Sequence, residues 1–595
     1  MTDATADPLP EPETPPPGGL DLAQPEDAHT REEWEAAAAG VLRKAGKLLD
    51  DDPDGDVWDR LTRTTLDGIG VTPLGLPGER ATGLRPMRTG AWDIRTLVAG
   101  PTAKLVNEEA LADLEGGATS LWLHAAADTD LKTVLDGVLL DLAPVVLDAP
   151  TAPVEAATAL VDLAAERDLT LHAATSLGVD PIGASLRGLV EPETQANVDH
   201  IVAVATLARD NGVLGVTVDA TAAHDLGASD AQELGYSLYA GTMYLRVLAQ
   251  AGFGVEDAAR LVEFRYAATD EQFPTIAKLR AARRLWRRVL DLSEVPTDSG
   301  IGQRQHAVTS RPMLSKYDPY VNMLRGTVAA FAAGVGGADA VTVLPFDSPL
   351  GRSEVFGRRI ARNVSHLLID ESHVAAVADP AGGAYAVEAL TDDLAAAAWK
   401  EFQALERDGL DAFRERVEEV VAAREEQIAK RRRPLTGVSE FPSLAEELPE
   451  REPDPLADAV RRYGASFEAL RDQPPAAHVF LATLGPVAQH TARATFATNL
   501  LAAGGIAVDV AGATTGPEDL VTAYDGQSVV CLTGADAAYA EWGAAAATAL
   551  REAGAKHVII AGKPGALGNE QSSDDSCAMG VDALAFLTRT REALS

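Results

Sequence analysis

The chain has 595 residues, of which 46% are apolar and 24% charged, and it carries a formal charge of −38. At roughly 150 residues per domain this is a globular protein of two to four domains. Its acidic excess repels phosphate backbones and anionic lipid, which argues against nucleic-acid and membrane partners, and no run supplies the ~20 uninterrupted apolar residues of a membrane span.

Residues 1–30, opening MTDATADPLPEPETPPPGG, combine proline and acids with few large apolar side chains. They predict a disordered tail, because too little surface can be buried to offset the entropy of ordering. The same opening lacks the basic start and apolar stretch of a secretory signal, and only two cysteines occur, Cys531 and Cys577. Both features point to the cytoplasm and away from a disulfide framework or a cysteine-rich metal site.

From Arg31, the residues Trp34, Ala38, Val41 and Leu42 fall on one helical face, with acids early and Arg43, Lys44 and Lys47 late, as the helix dipole prefers. VTPLGLPGERATGLRP then has the proline and glycine of an irregular arm, so 31–89 reads as a helix and arm. Between 90 and 400, apolar runs at 120–125, 143–149, 169–174, 213–220 and 339–347 alternate with helical stretches such as 154–167 and 232–251. That alternation implies parallel βαβ units, and about 300 residues of it is the size of a (β/α)8 barrel. An open doubly wound sheet competes on pattern alone.

Residues 392–434 predict one long charged helix whose end, Lys430-Arg431-Arg432-Arg433, complements its own dipole before Pro434 stops it. The acidic, proline-rich passage after it predicts a linker with one helix near 456–470, making 401–475 a helical linker. From 476 to 595, HVFLATLG, IAVDVAG, SVVCLTG and KHVIIAGKPG alternate with helices as in a small doubly wound α/β domain.

Local chemistry adds little. The eleven histidines show no metal-binding spacing; His366 and His373, about two helical turns apart, are too loosely placed to constrain a ligand pair. GxSxG and GxxxxGK[ST] are absent. The turn Gly562-Lys563-Pro564-Gly565 is explained as well by tight packing as by a ligand.

Longer strings carry more. RQHAVTSRPMLSKYDPYVNMLRGTVAAFAAGVGGADAVTV (304–343), RRIARNVSHLLIDESHVAAVADPAGGAYAVEALTDDLAAAAW (358–399), AKLRAARRLW (277–286) and the arm's GVTPLGLPG and LRPMRTGAW resemble the acyl-CoA mutase family that includes methylmalonyl-CoA mutase. The resemblance is colinear from about residue 60 onward. It implies a TIM barrel for a CoA ester, then a flavodoxin-like domain that in catalytic members holds adenosylcobalamin, and so favours barrel over open sheet. It also implies a radical interconversion of methylmalonyl-CoA and succinyl-CoA, whose hard chemistry belongs to the cofactor.

The motifs that this chemistry needs are altered. Catalytic members carry Asp-x-His-x-x-Gly after the first strand of the small domain, where the histidine binds cobalt and the aspartate orients it. Here LATLGPVAQHTARAT places Val487, Gln489 and Ala492 at those positions and Thr483 at that of a preceding lysine. Shifting to His490 puts Ala488 at the aspartate and Arg493 at the glycine, recovering neither. The resemblance further places Gly90, in Arg88-Thr89-Gly90-Ala91-Trp92, where catalytic members wedge a tyrosine against the acyl group. It puts Thr221 and Ala222 at the tyrosine and histidine of a Gly-Tyr-His motif. His224, two residues on, is not credited with the role, whereas His306 matches a histidine that catalytic members retain.

No catalytic, cofactor or metal residue is therefore expected on this chain. The losses resemble the small subunit of two-subunit bacterial members, which implies a heterodimer with a homologous large subunit carrying adenosylcobalamin and acyl-CoA. An active mutase for a different acyl-CoA, and a scaffold for another partner, are the competing readings.

Overall fold

The computed structural model describes residues 28–595 except 79–85, 87, 192–193, 455–456, 458 and 569–572, so most of the predicted tail lies outside the described residues. Two units are distinguished. In the first, the helix Arg31–Lys44 begins at a reciprocal cap between Thr30 and Glu33. It buries Ala39 and Leu42 against Leu48 and Val57, while Trp34 packs on Trp58 with ring centroids 4.8 Å apart. Arg63–Thr64 and Gly70–Val71 pair as a short antiparallel ladder.

In the second unit, eight strands close into a barrel: β1 Asp93–Val98, β2 Ser120–His124, β3 Val145–Asp148, β4 Ser176–Val179, β5 Leu214–Asp219, β6 Val262–Ala268, β7 Arg304–Thr309 and β8 Ala340–Thr342. Neighbours are parallel throughout, and β8 returns to β1 through Ala340↔Asp93 and Val341↔Ile94. Helices between successive strands include Pro153–Glu166, Asp230–Gln250 and Gln272–Leu292. This is a TIM barrel.

Side-chain alternation explains which strands the apolar pattern reveals. In β5, Val216 and Val218 are fully buried on one side, while Asp219 reaches Arg265 of β6 inside the barrel. β1, β6 and β7 carry Arg95, Glu263, Arg265 and His306 inward, so their sequences lack a hydrophobic signature and escaped the apolar pattern. The run at 169–174 is not a strand. There His172 donates its backbone N–H to Leu140 and the chain turns, so the strand begins only at Ser176 and includes Gly178.

The helix predicted over 392–434 starts earlier, at Tyr385, and is broken at Gly409 (φ 78°), so Tyr385–Ala429 is two helices in sequence. The helix expected near 456–470 is shorter, Ala465–Arg471. Ahead of it, Arg461 and Tyr463 donate backbone N–H groups to Asp225 and Pro312 of the barrel instead of to a helical carbonyl. Arg471 lies 3.7 Å from the centre of the Tyr317 ring, fastening this segment to the loop after β7.

The last sheet comprises β9 Val479–Thr483, β10 Val508–Val510, β11 Val529–Thr533, β12 His557–Ala561 and β13 Asp575–Cys577, all parallel and ordered β10-β9-β11-β12-β13. That is the flavodoxin-like order. Alternate residues feed two cores: Val479, Leu481, Cys531 and Ile559 on one face, Phe480, Ala482, Leu532 and Ile560 on the other. Burial on both faces gives the continuous apolar runs visible in the sequence.

Candidate functional site

Ligands of a TIM barrel meet the loops at the C-terminal ends of its strands. At that end Asp219 closes β5, and three residues converge on it. Arg265 donates to its Oδ2 at 2.9 Å and Arg187 at 3.0 Å, while Thr221 donates its N–H at 3.0 Å and its hydroxyl at 2.6 Å to Oδ1. Burial opposes ionisation of Asp219, but the two guanidinium groups overcome it and hold the carboxyl below its usual range.

Arg265 also donates to His306 Nδ1 at 3.2 Å, so His306 Nε2 is the donor to the Thr342 hydroxyl 2.7 Å away. Trp122 completes the layer. His306 stands edge-on to its ring, and the guanidinium groups of Arg265 and Arg311 lie 4.0 and 5.5 Å from its centre. One layer below, Arg95 and Arg304 share Glu263 at 2.9 and 3.0 Å. Arg95, Trp122, Glu263, Arg265 and His306 are all buried, so bulky paired side chains occupy the barrel axis.

Thr221 and Ala222 stand at this end, directly after β5. Thr221 props Asp219, and Ala222 is fully buried and offers no polar atom. His224 bonds Ser310 Oγ at 2.7 Å and lies 3.6 Å from Glu233, which in turn holds Lys278 at 2.7 Å. Burial, reinforced by Lys278 and Arg424, pushes the His224 pKa well below its ordinary value and keeps the ring neutral.

Gly90 precedes β1, at the N-terminal end of a barrel whose strands all run the same way, whereas Thr221 and Ala222 follow β5 at the opposite end. The structure does not bring them together. Of that region, Leu97 near the end of β1 reaches the C-terminal face, where it lines a cavity of about 330 Å³ with Arg311, Leu314 and Leu344.

In the small domain, the order reverses between β9 and β11, the usual ligand crevice of such sheets. Thr483 at the end of β9 donates its hydroxyl to Gly512, and Thr514 donates back to the Thr483 carbonyl at 2.6 Å. Val487 opens the helix Val487–Ala503 and is 60% exposed. Gln489 is exposed, its amide folded toward Gly485 (φ +86°). Ala492 follows on the same helix. His490 is buried with Nδ1 3.1 Å from the Gly485 carbonyl, and it lines a cleft along its own helix with Thr491, Ala494 and Asn499. Arg493 spans the crevice, donating to Gly534 at 2.6 Å and pairing with Asp536 over the Tyr539 ring.

A family profile described as methylmalonyl-CoA mutase matches residues 123–517. The methylmalonyl-CoA mutase small subunit of Streptomyces virginiae is 45% identical over 622 residues, spanning 97% of this chain and 98% of that one. The chain belongs to the methylmalonyl-CoA mutase family. The probable methylmalonyl-CoA mutase small subunit of Mycobacterium tuberculosis (strain ATCC 25618 / H37Rv) is 41% identical over 92% of this chain and 94% of its own. The small subunit from Propionibacterium freudenreichii subsp. shermanii is 36% identical over 97% of both. The mitochondrial methylmalonyl-CoA mutase of Bos taurus matches at 35% over only 38% of this chain. The family is cobalamin-dependent, and relatives named small subunits imply large ones. Among the described residues no cluster of histidine, cysteine and carboxylates could hold a metal ion.

Proposed function

We propose that this chain is the catalytically silent small subunit of a heterodimeric, adenosylcobalamin-dependent methylmalonyl-CoA mutase, an isomerase whose large subunit carries both cofactor and acyl-CoA. The carrying observation is the filled barrel axis. Where a catalytic member must hold an acyl group, this barrel packs Trp122 against Arg265 and His306 above the Arg95–Glu263–Arg304 layer.

The small domain supports the same reading. The residues around Gly485 do not fit cobalamin bound through a histidine. Gln489 is a poor cobalt ligand, Val487 cannot accept the orienting hydrogen bond, and Arg493 crosses the crevice where the cofactor would lie. His490 offers no substitute, since its Nδ1 faces a backbone carbonyl and its ring lies in a cleft along the helix. The role left to the chain is to bury and support the large subunit, with residues 31–89 as the contact arm and 401–475 as the linker between the barrel and the small domain. An obligate interface of this kind buries on the order of 2,000 Å² or more.

The test is turnover of methylmalonyl-CoA with adenosylcobalamin by this chain alone, by its large homologue alone and by the pair. Activity that requires the large subunit supports the proposal. Succinyl-CoA formed by this chain alone overturns it in favour of an active mutase.

A further inference from the structure

The helices that follow β7 and β8, Val321–Val335 and Val355–His366, begin at the C-terminal rim of the barrel and present apolar side chains outward there. Tyr320, which caps the first helix, is 66% exposed, Leu324 69%, Val355 83% and Phe356 44%. Single exposed apolar residues are ordinary, but these four are linked. Tyr320 and Leu324 stand four residues apart on one helical face, and Val355 adjoins Phe356. Phe346, itself buried, joins the two helices: its ring stacks on Tyr320 with centroids 5.4 Å apart and meets Phe356 edge-on at 5.8 Å. The result is an aromatic platform that the fold leaves uncovered.

One charge belongs to the platform. Of the three arginines on the second helix, Arg358 and Arg362 are both paired with Asp113. Arg359 is exposed, lies 5.6 Å from the centre of the Phe356 ring and takes no carboxylate among the described residues. Exposed aromatic rings beside an unneutralised arginine are the composition of protein–protein hot spots. The charges also select the occupant. At a formal charge of −38, two copies of this chain repel each other. A two-fold contact between copies would set this platform against itself, Arg359 included, while the neighbouring carboxylate, Glu354, is already held by Arg451 at 3.2 Å. The platform therefore fits a different chain, one that presents apolar side chains and a carboxylate.

We propose that this platform docks the large subunit, which presents to it an apolar face with a carboxylate opposite Arg359. The inference rests on the small-subunit reading and adds to it a contact surface on the barrel itself, apart from the arm.

The test is the affinity of the full chain for its large-subunit homologue, read by surface plasmon resonance. Val355→Asp and Leu324→Asp are each expected to weaken the complex about thirty-fold, the effect of losing a hot-spot contact. Arg359→Glu is expected to slow association, and Arg359→Ala to reduce its dependence on salt. Leu139→Asp, at a 57% exposed position on the loop before β3, is expected to leave the affinity unchanged. All these side chains are exposed, and an unaltered urea midpoint for each variant separates a lost contact from a lost fold. A wild-type chain that forms no complex with the large homologue overturns the small-subunit reading, and this proposal with it. A complex that forms and keeps its affinity in Val355→Asp and Leu324→Asp overturns this proposal alone. A dimer of the wild-type chain by itself, dissociated by Val355→Asp in sedimentation velocity, also overturns it, because the occupant is then a second copy.

Discussion

Arg265 bonds Asp219 and His306 and lies over Trp122, so the interior of the barrel depends on it. Arg265→Met removes one partner of a buried ion pair and strands part of the charge on Asp219. It is expected to cost about 3–5 kcal/mol, read as a lower urea midpoint. His306 gives a pH signature. Burial, then the fields of Arg95 and Arg265, push its pKa well below its ordinary value. The unfolded imidazole takes up a proton near pH 6.5 while the folded one does not, so this residue's contribution is intact above about pH 6.5 and is lost as pH falls below it. His306→Asn should therefore flatten the acid side of the stability profile by up to about 1.4 kcal/mol per pH unit; an unchanged slope between pH 6.5 and 5 would show that His306 is protonated in the fold. At this scale the sequence singled out Thr221, Ala222 and Thr483, which lie at strand ends. It could not show that Asp219, Arg187 and Arg265 form one cluster, because they come from separate βα units.

Apolar runs revealed the strands that bury both faces and missed those that turn charge inward. β6, Val262–Ala268, is buried at every position yet contains Glu263 and Arg265, so no hydrophobic run marks it. β4 was displaced for a different reason: its Gly178 reads as a turn residue, although it sits inside a strand with an irregular register to β5. Gly178 has φ +71°, and a Cβ there would collide with the Leu147 carbonyl oxygen. Gly188 has φ +75° but open space around it. Gly178→Ala should therefore cost about 3 kcal/mol or more, and Gly188→Ala about 1 kcal/mol, in the same unfolding assay. Similar losses for the two would show that backbone strain alone, and not the close approach to β3, governs Gly178.

At the scale of the whole molecule, the fold class was legible, and the proposed silence of the chain rests on a few positions. The two-core sheet of the small domain keeps the flavodoxin-like order; in the proposed reading, in which Thr483, Val487, Gln489 and Ala492 stand at the motif positions, scaffold and chemistry are separable. Gln489→His alone is consequently expected to give no histidine-bound cobalamin spectrum, since Val487 still cannot orient the new imidazole and Arg493 still spans the crevice. The most direct measurement is the visible absorbance of this chain after gel filtration with adenosylcobalamin, run alone and together with its large-subunit homologue. The account predicts cobalamin eluting only with the pair. Cobalamin retained by this chain alone would contradict it.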